Sequence, residues 1–95
     1  MVKGIPLQKK IIKSILDILV LQLIKNEPMQ KDKIINKLNS RFNVSIPSFD
    51  IYTTLSSLGE QGLITSNPEC TLTKKGDIIR LKLLKDYFNL QKTII

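Results

Sequence analysis

The sequence predicts a mainly α-helical domain with one small β-hairpin. Three observations predict it. Apolar residues recur at helical spacing in four segments. Leu63-Ile64-Thr65-Ser66 and Cys70-Thr71-Leu72 read as short strands on either side of the turn Asn67-Pro68-Glu69. The 95 residues, 42% of them hydrophobic, suit a single domain with a small core.

The first helix is predicted over about residues 7–25. It is apolar nearly all round, through Ile11, Ile12, Ile15, Leu16, Ile18, Leu19, Val20, Leu21, Leu23 and Ile24. A surface helix needs one apolar stripe, so this one requires cover on two sides, and a second subunit is the expected cover for one of them. Asn26-Glu27-Pro28 stops it, because Pro28 lacks an amide proton and restricts Glu27. The second helix is predicted over about 30–41, with Ile34, Ile35, Leu38 and Phe42 inward and Asn43 as its stop.

Ser45-Ile46-Pro47-Ser48 opens the third helix, with Pro47 in its first turn and Ser45 or Ser48 as the capping oxygen. Ile51, Leu55 and Leu58 face the core. Phe49, Thr53, Ser56, Ser57 and Glu60 point outward, and Tyr52 stands at the edge of the buried stripe. Gly62 ends the helix, where positive φ is often needed. Thr73 caps the last helix, predicted over about 74–92. There Ile78, Ile79, Leu81, Leu83, Leu84, Tyr87, Phe88 and Leu90 make a broader apolar face than one small core requires.

Three helices, a hairpin and a fourth helix, with a short turn between the second and third, is the order of a winged helix-turn-helix with N- and C-terminal dimerisation helices. The single domain 1–95 then divides into an N-terminal core and dimerisation helix (about 1–26), the helix-turn-helix and wing (28–73) and a C-terminal dimerisation helix (74–95). Ile12, Ile15, Leu16, Leu19, Leu23, Leu81, Leu84 and Phe88 are the candidate dimerisation residues.

Charge narrows the function. Fifteen Lys and Arg stand against eight Asp and Glu, a net +7, which points to a polyanion: nucleic acid or an anionic membrane. There is no His and one cysteine, Cys70, so one chain can build neither a Cys/His zinc site nor an internal disulfide. Cys70 reads as a small strand residue. No His base, Gly-rich phosphate loop or paired carboxylates are present, so neither enzymatic activity nor a cofactor or metal is expected. No signal peptide is visible, and Lys13, Ser14, Asp17 and Gln22 break the apolar stretch from Ile11 to Ile24. A cytoplasmic, non-membrane protein is expected.

The run Ile51-Tyr52-Thr53-Thr54-Leu55-Ser56-Ser57-Leu58-Gly59-Glu60-Gln61-Gly62-Leu63-Ile64, followed by Leu72-Thr73-Lys74-Lys75-Gly76, resembles the PadR-like winged-helix regulators. With the upstream apolar spacing, the resemblance covers roughly residues 11–80. It implies a dimeric, sequence-specific binder of double-stranded DNA, a transcriptional repressor that occludes its operator. Small relatives that bind a centromere and spread along DNA supply the alternative of a plasmid or chromosome partition protein, with higher-order assembly on DNA. Relatives that respond to aromatic ligands would imply a small-molecule effector, which no residue here supports. The chain departs from the family in Ser56 and Ser57, where relatives usually carry charge. Its short wing tip also holds no base, so an arginine inserted in the minor groove is not expected.

The predicted recognition helix has no Lys or Arg from Pro47 to Gln61. Its DNA candidates are Ser48, Phe49, Tyr52, Thr53, Ser56 and Ser57. Hydroxyls suit base edges or phosphates, and Phe49 or a Thr methyl suits a thymine methyl. Guanine readout by arginine is absent, so A·T-rich or shape-dependent recognition is expected. Tyr52 is expected to keep its hydroxyl free for a phosphate. Phosphate contacts are assigned to Lys31, Lys33, Lys37 and Arg41 on the second helix and to Lys74 and Lys75 after the wing. Lys3, Lys9, Lys10 and Lys13 form a second basic tract. A recognition helix without basic residues also suits a protein-docking module.

Overall fold

The computed structural model describes residues 5–42 and 46–94, with side-chain surroundings for 15–41 and 46–89. Lys3, Asn43 and Ser45, and the side chains of Lys9, Lys10, Ile12, Lys13, Phe42 and Leu90, lie outside these. The order is α1 (Ile5–Asn26), α2 (Lys31–Phe42), α3 (Ser48–Glu60), β1 (Ile64–Thr65), β2 (Thr71–Leu72) and α4 (Lys74–Ile94). All predicted elements are present, with ends moved by one or two residues.

Helix α1 is the central element. It packs against α2, α3, β2 and α4 of its own chain. This corrects the expectation that a second subunit must cover it, at least from Leu16 onward. Leu16, Val20, Leu21, Leu23 and Ile24 are buried, and Leu19 packs partly buried against the same cluster. Of the proposed dimerisation residues, Leu16 and Leu23 therefore already have their cover. From α2, Ile34 and Leu38 enter the core, and from α3, Ile51, Thr54, Leu55 and Leu58. Thr54 completes the i, i+3, i+4, i+7 stripe that starts at Ile51.

The hairpin is antiparallel, with Ile64 opposite Leu72 and Thr65 opposite Thr71. Met29 adds a bridge on the far side of the turn: the Met29 amide donates to the Cys70 carbonyl at 3.2 Å, and the Cys70 amide returns the bond at 2.9 Å. The linker between α1 and α2 thereby ties the wing to the body. Cys70 is buried at this seam. Burial raises its thiol pKa, with Lys31 pulling weakly the other way.

Two helix ends meet at one junction. At the end of α3, the Gly62 amide donates to the Gly59 carbonyl (3.0 Å) and the Leu63 amide to the Leu58 carbonyl (3.0 Å). With φ +77° at Gly62, this is a Schellman ending, sealed by buried Leu58 and Leu63. Thr73 then caps α4: its hydroxyl accepts from the Gly76 amide at 2.9 Å and donates back to the Gly62 and Leu63 carbonyls at 2.8 and 3.0 Å. Gly76 presses against Leu63 so closely that a Cβ there would overlap the Leu63 carbonyl. At the start of α3, Ser48 is not the cap. Pro47 occupies the capping position without a side-chain bond, and Ser48 is the first helical residue.

Helix α4 is anchored to α1 by Arg80. Its guanidinium is buried, donates to Gln22 Oε1 at 2.8 Å and pairs with Asp77 at 2.8 Å, while Lys25 reaches Asp77 at 3.4 Å. A buried cation requires such partners. The hydrogen bond from Arg80 is the first cause that holds the Asp77 carboxyl below its ordinary range, with Lys25 adding to it.

Gly76→Ala is expected to cost about 3 kcal/mol or more through backbone overlap. Gly62→Ala is expected to cost about 1 kcal/mol, from positive φ alone. Urea melts compare the two. Asp77 has a depressed folded pKa, so its contribution is present above the unfolded value near 3.9 and is lost as pH falls through the lower folded value. Asp77→Asn is expected to be less stable than the native chain at neutral pH. The two stabilities should converge in acid, read by urea melts across a pH series.

Candidate nucleic-acid interface

The outer face of α3 is uncovered. Phe49 is 77% exposed and Tyr52 42%, and Ser48, Thr53, Ser56 and Glu60 are exposed as well. Ser57 is only half-buried: its Oγ accepts from Gln61 Nε2 at 3.1 Å, which turns it toward the helix end. The Thr53 hydroxyl donates to the Phe49 carbonyl at 2.8 Å, so its methyl and oxygen lone pairs face outward.

Two clefts separate α3 from the hairpin. One is lined by Lys31, Leu55, Ser56, Gly59, Glu60 and Ile64 to Ser66. The other is lined by Gln30, Lys31, Asp32, Tyr52, Ser66, Pro68 and Cys70. Lys31 and Ser66 belong to both, so an ammonium and a wing hydroxyl stand where the recognition helix, the wing and the start of α2 converge. The Tyr52 hydroxyl donates to Asp32 Oδ1 at 3.4 Å. The free hydroxyl expected from the sequence is thus engaged, because α2 starts opposite the middle of α3.

The basic residues of α2 do not act as one cluster. Lys33, Lys37 and Arg41 recur every four residues and share a helix face that excludes Lys31. Lys33 pairs with Glu27 at 3.3 Å, both more than half exposed. Lys37 and Arg41 line a groove with Leu19, Gln22, Leu23, Asn26 and Leu38, on the α1 side. Lys74 lines a different groove, with Ile24, Lys25, Pro28, Asp77 and residues 71–73, and Lys75 is exposed beside it. The structure therefore brings Lys31 to the recognition helix and leaves Lys33, Lys37 and Arg41 on another face. Asp32 and Gln30 join the site without a sequence signal beyond their place next to the predicted elements.

On α4 the exposed apolar residues are Ile78 (64%), Leu81 (56%) and Phe88 (60%), with Tyr87 edge-on to Phe88 at 6.4 Å. Among the described residues there is no metal-binding cluster of His, Cys, Asp or Glu, and no helix is long and apolar enough to cross a membrane.

Helix-turn-helix, paired wing strands and an uncovered third helix make this a winged helix-turn-helix fold. Solved structures share it. A PadR-like transcription factor from Bacteroides fragilis superposes with a TM-score of 0.75 at 21% identity, over 94% of this chain and 95% of that one. A transcriptional regulator from Clostridium thermocellum gives 0.79 at 15% identity, over 90% and 94%. A protein from Thermoplasma acidophilum described as a transcriptional regulator gives 0.65 at 14% identity, over 90% and 96%. The PadR-like winged-helix fold read from the sequence is thus the fold observed. No protein-family model matches the chain, and no curated protein matches it.

Tyr52→Phe and Asp32→Ala both remove the exposed Tyr52–Asp32 bond. Each is expected to change stability by about 0.5 kcal/mol or less, measured by thermal melting. Both variants therefore suit binding experiments.

Proposed function

We propose that the chain is a sequence-specific binder of double-stranded DNA that acts as a dimer and represses transcription by occluding its operator. The single observation that carries this is the uncovered polar and aromatic face of α3, flanked by Lys31 and the wing, in a chain of net charge +7. A buried or apolar third helix would have no such use. The likeness in fold to solved transcriptional regulators supports the same reading. In this reading α3 enters the major groove and Lys31 contacts a phosphate at its edge. Lys74 and Lys75 extend the positive field, and Lys33, Lys37 and Arg41 attract DNA at longer range.

The dimer is assigned to the outer face of α4, whose Ile78, Leu81 and Phe88 are left exposed among the described residues, together with the N-terminal part of α1. Such a row is larger than isolated surface apolar residues and marks a contact surface. Two recognition helices related by a two-fold axis would then read half-sites one helical turn apart.

The test is binding of the purified protein to the DNA upstream of its own gene and to a random duplex, across a salt series. A steep salt slope with strong preference for the upstream duplex supports the proposal. Equal, weak and salt-insensitive binding to both would favour a protein-docking role instead. The footprint separates the two DNA roles: a bounded one fits a repressor, and one that lengthens with concentration fits partition.

Lys31→Ala is expected to weaken binding to every duplex alike and to lower the salt slope by about 1. Lys37→Ala is expected to have a smaller effect on both. Leu81→Glu combined with Phe88→Glu is expected to raise the dimer dissociation constant roughly tenfold or more, read by analytical ultracentrifugation, with the fold retained in circular dichroism.

A further inference from the structure

We propose that Asp32 sets the hydrogen-bond polarity of the recognition surface, so that Tyr52 and Thr53 act as acceptors that read the exocyclic amino groups of adenine and cytosine in the major groove. The inference rests on the DNA-binding reading above and names the base chemistry that it leaves open.

A tyrosine hydroxyl has one proton to donate and lone pairs to accept with. The Tyr52 proton points at Asp32 Oδ1, 3.4 Å away, and a carboxylate can only accept. What Tyr52 presents outward is therefore its lone pairs. The Thr53 proton is likewise spent on the Phe49 carbonyl at 2.8 Å, which leaves lone pairs and a methyl at the surface. Both residues are exposed, one position apart on the same uncovered helix. Three carboxylates stand near this face, Asp32 in one cleft, Glu60 in the other and Asp50 in the first turn of α3, with Lys31 the one cation lining both clefts.

With their protons engaged, Tyr52 and Thr53 offer acceptors alone, which suit neither a phosphate oxygen nor the N7 and O6 acceptors of guanine. Their complement in the major groove is an amino donor, N6 of adenine or N4 of cytosine. Phe49 and the Thr53 methyl suit the thymine methyl of a neighbouring A·T pair. Lys31 is then the phosphate contact that sets the register, and Asp32 is a positioning residue acting through Tyr52.

The experiment starts from a site selected with the native protein. Duplexes are then made with one adenine replaced by purine, or one cytosine by pyrimidin-2-one, each lacking only the exocyclic amino group. Loss of one amino group at a contacted position is expected to cost the native protein about tenfold in affinity. Tyr52→Phe is expected to bind the full site more weakly and to show no further loss at one such position. Thr53→Val is expected to do the same at another. Asp32→Ala removes the acceptor that holds the Tyr52 proton and is expected to lower the loss at the Tyr52 position, because the freed proton competes for the outward face. For each variant the readout is the ratio of its affinities for the full and the amino-deleted site at one salt concentration.

Two outcomes overturn the proposal while leaving DNA binding intact. In one, no position is sensitive to removal of an amino group. In the other, Tyr52→Phe weakens every duplex equally and lowers the salt slope, which would make Tyr52 a phosphate contact. Absence of salt-dependent binding to any duplex would remove the DNA-binding reading and this inference with it.

Discussion

The contact between Gly76 and the Leu63 carbonyl is the constraint on which the geometry of this domain depends. There the end of the recognition helix, the root of the hairpin and the start of the last helix share one set of hydrogen bonds. Thr73 is the common member: its oxygen caps α4 while its proton closes onto the Gly62 and Leu63 carbonyls. No side chain larger than hydrogen fits at residue 76 without pushing α4 away from Leu63. The direction of α4, and with it the direction of any dimer built on α4, is set relative to the recognition helix at this point. In the proposed dimer, half-site spacing would follow from the separation of the two α3 helices, so this packing contact would bear on it.

The buried Arg80 adds a second anchor. It joins α4 to Gln22 of α1 and is matched by Asp77 one turn before it. Between them, the glycine contact and the arginine pair hold α4 at its start and across its first turns. Farther along, the apolar residues Leu81 and Phe88 are open. The helix is thus fixed where it meets its own chain and available where a partner would sit. In the proposed dimer the same helix serves both as core and as interface, which is how a chain with a small core obtains more buried area than it could alone.

The recognition face gains its character from neighbours that are distant in sequence. Tyr52 and Asp32 are twenty residues apart and share a hydrogen bond. Lys31 reaches the face because α2 begins beside the wing, and the Met29–Cys70 bridge holds that beginning in place. The surface therefore combines one cation with several acceptors. The net positive charge belongs to the whole molecule, while the outer face of α3 is locally rich in oxygen. In the proposed function, affinity and specificity would then be carried by different residues.

Much of this was legible in the chain itself. Periodicity identified the four helices and the core stripe Ile51, Leu55 and Leu58. Turn chemistry identified the hairpin, the positive φ of Gly62 and the Thr73 cap. These are local matters, set by side-chain spacing, backbone sterics and hydrogen bonds between near neighbours, so one dimension suffices for them. Three matters were decided only in three dimensions. The all-round apolar α1 turned out to be wrapped by its own chain beyond Leu16, since periodicity reports that a face must be buried and not against what. The lysines of α2 separated onto two faces, since their use depends on which side α3 and α1 occupy. The Tyr52 hydroxyl found Asp32, since a bond across twenty residues is set by helix packing and leaves no trace in local spacing. Sequence alone determined which elements form and which faces are apolar. Tertiary packing decided which polar groups remain free to meet a partner, because that depends on every neighbour a side chain acquires on folding.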